Sequence, residues 1–188
     1  MTDSSPLDPQ LREELLARAD RDQAARYAYF DVIERGEPDW SPVAAVDADN
    51  LAFLAPLLDE HGWLGSDLVG EDGASACWLL VQHAPPERQD TWLPLMERAV
   101  TAGLASAADL VYLQDRVSMH HDRPQSHGTQ RLGYSEGHAR LWPVTDPGTL
   151  NTRRAALDLP PLADAAIADA WTPAELAEHG RHLTDPTS

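Results

Sequence analysis

Apolar residues recur along most of this chain at spacings of three and four, the period of an amphipathic helix. Asp8-Pro9 offers an N-cap followed by proline at the first helical position. A helix is expected from there to about Arg35, with Leu11, Leu15, Leu16, Ala19, Tyr27, Phe30 and Ile33 facing inward and Gly36 ending it. A second helix is expected from near Asp47, carrying Leu51, Leu54, Leu57 and Leu58 on one stripe; Pro56 should kink it or delay its start, and Gly62 should stop it. Gly65, Gly70 and Gly73 punctuate a turn region. Helices then read over about 73–84 and 87–102, the latter with Trp92, Met96 and Val100 inward. Ser106 to Asp109 has the pattern of a capping box opening a helix to Val117 or Met119.

The pattern changes beyond residue 120. The segments 128–133 and 139–144, separated by Tyr-Ser-Glu-Gly, read as a short hairpin whose Pro143 keeps its strand at an edge or an end. Asp146-Pro147 can open another helix through Leu157, which Pro160-Pro161 breaks. Residues 162–170 are weakly helical, and Thr172 to Glu175 caps a short final helix up to about Gly180. The fold expected is mainly α: one compact up-down multi-helix domain over 1–188, with a small β-hairpin excursion near 128–144 and frayed tails at 1–7 and about 183–188.

Composition narrows the chemistry. Of 188 residues, 31 are acidic and 14 basic, giving a net charge of −17. Binding to nucleic acid or to an anionic membrane draws on a basic surface, so neither is an expected partner. Every basic residue is arginine. Without lysine there is no Schiff-base enzyme, no pyridoxal-phosphate lysine and no Walker-type phosphate loop, and no cofactor is expected. Cys77, the single cysteine, sits in the apolar run 76–81 and reads as a buried structural thiol. The N-terminus lacks the basic start and apolar stretch of a signal peptide, and no apolar run has membrane-spanning length, so a cytoplasmic protein is expected.

The segment 112–130 concentrates the candidate chemistry, with Asp115, Arg116, His120, His121, Gln125, His127 and Gln130 in a helix end and loop. An up-down-up order of the helices over 73–84, 87–102 and 106–119 would bring Gln82-His83 to the end of the bundle that carries Asp115 and Arg116. On that expectation His83 is the acid/base group and Asp115 its partner or a second carboxylate. Arg116 would hold a carboxylate or a developing oxyanion, and Gln82, Gln125, His127 and Gln130 would bind a polar ligand. Trp63, in a Gly-Trp turn, would wall the pocket. Each of these residues also has a structural reading, as helix cap, ion-pair partner or loop tie. His120 and His121 are adjacent, point in different directions, and lack the spacing of a helical metal motif; they read as solvated loop residues.

His-Gly-Trp at 61–63, Leu-Val-Gly at 68–70, Val-Gln-His-Ala at 81–84 and Leu-Pro-Leu-Met at 93–96 occur in order. Tyr-Leu-Gln-Asp-Arg at 112–116, Pro-Gln-Ser-His-Gly-Thr-Gln at 124–130, and Asn-Thr-Arg-Arg with Leu-Asp-Leu-Pro-Pro-Leu within 151–162 follow. This set resembles a bacterial family known only as a domain of unknown function, numbered 6624. The likeness covers about residues 47–162, with Asp22-Gln23 and Arg26 matching an earlier Asp-Gln-x-x-Arg element. The resemblance implies no reaction. It marks Gln82-His83, Asp115-Arg116 and Gln125 to Gln130 as the hallmark polar positions. The family usually has tyrosine where this chain has His127.

The leading expectation is a small soluble enzyme doing metal-independent acid/base chemistry on a polar small molecule, whether hydrolase, lyase, isomerase or cyclase. The alternative is a non-catalytic small-ligand-binding or accessory protein with an acidic surface. A third is a metal-dependent enzyme using His83, His127 and Asp115.

Overall fold

The carboxylate of Asp8 accepts the Leu11 N–H at 2.9 Å, the N-cap that its place before Pro9 predicts. The first helix, α1 (Pro9–Glu34), follows. The structure, a computed structural model, describes residues 7–34, 36, 38–133 and 138–184, the side chains of 32–34 excepted. Residues 1–6 and 185–188 of the tails expected at 1–7 and about 183–188, the inward place of Ile33 and the hairpin turn at 134–137 lie outside the described residues. Among the described residues are eight helices and one two-stranded antiparallel hairpin, a mainly α fold. The chain divides into two compact units, Met1–Ser106 and Ala107–Ser188.

In the first unit α1 lies against α3 (Ser66–Gln82) and α2 (Ser41–His61), and α4 (Pro86–Thr101) packs on α3. Helix α2 starts six residues earlier than the apolar stripe suggests. Asp39 accepts the Ser41 N–H at 2.9 Å, and Pro42 occupies the first turn, where a missing N–H costs nothing. Pro56 lies inside the helix. The Gly-rich region is more helical than expected. Helix α3 begins at Ser66 and is interrupted only at Gly70, whose φ of +74° favours a residue without a Cβ.

Leu15, Leu54, Leu58, Leu64, Val69, Cys77, Leu80, Trp92 and Met96 are buried to within 2% exposure, a continuous apolar core for this unit. Each such side chain contributes about 1.5–3 kcal/mol through removal from water. Burial pushes the Cys77 thiol up to about 12, leaving it un-ionised, as its apolar run predicts.

The buried stripe of α1 corrects the expected one. Leu15, Ala19 and Asp22 are buried and Arg26 is half-buried, at the positions i, i+4, i+7 and i+11 of one helix face. Tyr27 and Phe30, expected inward, are 67% and 59% exposed. Tyr27 is turned about 100° away from Arg26, and Phe30 lies a turn beyond it, past the end of the stripe.

The second unit opens with α5 (Ala107–His120). Strands β1 (Arg131–Leu132) and β2 (Arg140–Leu141) pair antiparallel, Arg131 opposite Leu141 and Leu132 opposite Arg140, inside the segments expected for the hairpin. A 3₁₀ turn over Pro147–Thr149 leads into α6 (Leu150–Ala155), shorter than expected. Helices α7 (Asp164–Ala168) and α8 (Pro173–Glu178) complete the unit, α8 with the predicted capping box between Thr172 and Glu175. Trp142, Leu141, Leu150 and Leu176 are its buried anchors. Among the described residues no helix is long and apolar enough to cross a membrane.

Candidate functional site

Polar side chains take core positions on two helices of the first unit. On α1 the stripe Leu15–Ala19 continues into Asp22 and Arg26. On α2, Val43, Asn50, Leu54 and Leu58 are buried, and Asp47 falls between Val43 and Asn50 on the same face. Polar groups in such places demand partners. His83, the residue that caps the C-terminus of α3, completes the set.

The four charged or titratable side chains meet. His83 Nδ1 lies 2.9 Å from Asp22 Oδ2. Arg26 Nε lies 3.2 Å from the same carboxylate oxygen and 3.1 Å from His83 Nδ1, and the Arg26 Nη2 donates to Asp47 at 2.5 Å. Asp22 is 1% exposed, whereas His83 and Asp47 keep 21% and 22% of their side chains in solvent. The buried carboxylate is thus the floor of the cluster, and His83 and Asp47 are its accessible rim.

Proton placement follows from the charges. Burial alone would raise the Asp22 carboxyl, but the hydrogen bond and charge of His83, with Arg26 and Gln23, outweigh it and hold Asp22 below the usual carboxylate range. His83 Nδ1 can donate to Asp22 when that nitrogen carries the proton, and it can accept from Arg26 Nε–H at 3.1 Å when it does not. In the first arrangement Nε2 is left with the lone pair. Asp47 moves the other way. Burial raises its carboxyl, Arg26 opposes that, and the negative Asp22 nearby adds to the rise.

One ligand atom from each of Asp22, Asp47 and His83 lies within 4.8 Å of the others, a spacing that a metal ion would accept. Arg26 already reaches all three, so a metal here would have to displace its guanidinium.

Aromatic side chains border this cluster. The Arg26 guanidinium carbon is 5.6 Å from the ring centroid of Trp40, which is 47% exposed. Tyr29 meets Trp40 edge-on at 4.7 Å, and Phe30 is 6.2 Å from Tyr29.

The residues expected in the loop 120–130 form a different kind of network in the second unit. Asp115, 1% exposed, accepts from the backbone N–H groups of Ser126 (2.7 Å), His127 (3.1 Å) and Thr129 (3.1 Å) and from the Thr129 hydroxyl (3.0 Å). Both of its oxygens face donors. Gln125, fully buried, donates to the carbonyls of Gln130 (2.9 Å) and Trp142 (2.7 Å) and accepts the Gln130 N–H (2.8 Å). Gln130 Nε2 reaches the Thr129 hydroxyl at 3.0 Å. Arg154 holds the His127 carbonyl at 2.6 Å. Burial lowers the His127 pKa, Asp115 opposing and Arg153 and Arg154 reinforcing, and its Nδ1 is buried without a partner among the described residues. Arg116 is half-buried on α5.

In the first unit, Gln82 is buried and its carbonyl accepts from Gln89 at 3.0 Å. Trp63 is half-buried, with an indole N–H that has no partner among the described residues. His83 is therefore the expected residue that joins the charged cluster of the first unit. Asp115, Gln125, His127 and Gln130 gather in the second.

The chain belongs to the family of unknown function DUF6624. The family's profile matches residues 9–171, which takes in both α1, with Asp22 and Arg26, and the Asp115 loop. No curated protein and no solved structure matches the chain.

Asp22, Arg26 and Asp47 are the members of the cluster missing from the sequence-based set. A signal for them existed: Asp22 and Arg26 continue a core-facing stripe, and Asp47 sits between core residues Val43 and Leu54. The Asp-Gln-x-x-Arg element at 22–26 is the same signal in motif form.

Proposed function

We propose that this DUF6624 protein is a small enzyme that carries out metal-independent acid/base chemistry on a polar small molecule in the cytoplasm, with His83 as its central group. The observation that carries the reading is the buried Asp22 carboxylate 2.9 Å from His83 Nδ1. A carboxylate there fixes the ring, selects the tautomer with a free Nε2, and stabilises the imidazolium formed when Nε2 takes a proton. Asp47, whose carboxyl is raised by burial and by the nearby Asp22 and is opposed by Arg26, is a second carboxyl on the rim of the same cluster. Arg26 holds the two carboxylates apart from each other's charge and offers donors to an oxygen that becomes negative.

Turnover tests the reading without a named substrate. The purified protein is incubated with a small-molecule extract and the extract is profiled by mass spectrometry. At least one component should be consumed by wild type and persist with His83→Gln. Identical profiles for the two proteins would sink the proposal.

A second reading, metal-assisted chemistry on the same side chains, draws on the 4.8 Å grouping of Asp22, Asp47 and His83. It requires Arg26 to leave. Consumption that survives extensive chelation supports the metal-independent reading; consumption restored only by an added divalent ion supports the other.

A further inference from the structure

Among the described residues, three of the four most exposed large hydrophobic side chains, Tyr27, Phe30 and Trp40, lie on the final two turns of α1 or at the entrance to α2, next to the charged cluster. Trp40 is the key member. It is 47% exposed, touches Arg26 through its ring, and is braced edge-on by Tyr29 at 4.7 Å. An exposed indole held in place by a second aromatic, within one guanidinium of a His–Asp pair, is a flat apolar platform beside hydrogen-bonding groups.

The charges decide what kind of molecule suits it. Two carboxylates stand against one guanidinium and one imidazole, in a protein of net charge −17, so the cluster offers no net positive charge to an anionic ligand. The cation position between Asp22 and Asp47 is filled by Arg26, so an organic cation would have to evict it from both carboxylates, whereas the 47% exposure of Trp40 leaves indole surface open beside it. What remains is an uncharged molecule with an apolar face and several hydroxyl groups. The apolar face meets the indole. Hydroxyls find acceptors in the exposed part of Asp47 and donors in Arg26.

We propose that the ligand of this site is a neutral sugar ring stacked on Trp40, with its hydroxyls directed to Asp47, Arg26 and His83 Nε2. This rests on the acid/base reading for which groups face the ligand, yet it makes a separate demand on Trp40, a residue with no part in proton transfer. It also assigns the otherwise unexplained exposure of the aromatic edge to substrate selection.

The test is ligand-observed NMR titration of the full chain with methyl β-D-glucopyranoside, methyl β-D-galactopyranoside and N-acetyl-D-glucosamine, alongside glucose 6-phosphate, choline and agmatine. Saturable binding of at least one neutral sugar is expected, with Trp40→Ala weakening it roughly threefold to tenfold and Trp40→Phe restoring part of the loss. Circular dichroism should show both variants as helical as wild type. Tighter binding of the phosphate than of the glucosides, Trp40-dependent binding of choline or agmatine instead of sugars, or no saturable sugar binding at all would each overturn the proposal. The two readings fail separately. Trp40-dependent sugar binding by wild type, with no His83-dependent consumption in the extract, defeats the catalytic reading and leaves this one standing. His83-dependent consumption without any sugar binding does the reverse.

Discussion

The His83 cluster and the Asp115 loop are both built on a carboxylate that is 1% exposed, and they use it in opposite ways. Asp115 is saturated by three backbone N–H groups and a hydroxyl, all from the loop that follows its own helix. Every contact is local in sequence and fixes the path of residues 125–130. Asp22 instead gathers charged and titratable side chains from α1 and α3, with Asp47 of α2 joined through Arg26, and the rim of that cluster is open to water. A satisfied carboxylate surrounded by backbone is a structural clasp. A carboxylate that orients a titratable ring with a free nitrogen is equipped for chemistry. Polar residue type alone does not separate the two; the partners do.

The comparison breaks most sharply if activity follows the wrong carboxylate. His83→Gln should lower turnover of whatever compound the wild type consumes by about 10²–10⁴-fold. The side chain is partly exposed and glutamine can still donate to Asp22, so chemical denaturation should register a change within about 1 kcal/mol. Asp115→Ala should show the inverse pattern. Orphaning four donors should destabilise the fold by on the order of 3–5 kcal/mol, read as a lowered denaturant midpoint. An Asp115→Ala protein as stable as wild type would remove the clasp from the account.

Asp22→Asn sharpens the same contrast through pH. Because the folded protein holds the Asp22 pKa below its unfolded value, the group contributes stability that is full above the unfolded value of about 4 and is lost as pH falls through the folded value. Wild type should therefore exceed Asp22→Asn by about 1–3 kcal/mol near neutrality, and the gap should shrink on acidification. A gap that is constant with pH would contradict an ionised Asp22.

The smallest effect is expected at His127, whose lowered pKa and partnerless Nδ1 describe a ring kept neutral by burial. His127→Tyr should change stability at neutral pH by within about 1 kcal/mol and leave consumption of the same compound unaltered. A depressed His pKa favours the folded state above the unfolded value and costs stability as pH falls through the folded one, so the tyrosine variant should gain on wild type in mild acid.

Much of this was legible in the residues. The helix caps at Asp8 and Thr172 and the stops at Gly62 and Gly103 are local chemistry, and they fall where the turn and capping residues place them. On α1, Tyr27 and Phe30 look like core residues by type, whereas Asp22 and Arg26 hold core positions by spacing. In the loop 120–130 the density of polar groups is visible by type, but the backbone N–H and C=O groups that Asp115 and Gln125 meet are not revealed by residue identity. His83 carries its signal by its place at the end of an apolar helix, and its partners arrive from helices whose packing is a tertiary property.

The central claim is that Asp22 holds His83 with the proton on Nδ1, leaving Nε2 as the working base. Two-dimensional ¹⁵N NMR of the histidine rings, with His83 assigned by comparison with His83→Gln, reads the tautomer directly and needs no substrate. Above the pH at which the ring becomes neutral, His83 should show a protonated Nδ1 and an unprotonated Nε2, and Asp22→Asn should weaken that preference. A neutral His83 with its proton on Nε2, its Nδ1 accepting from Arg26, would contradict the account.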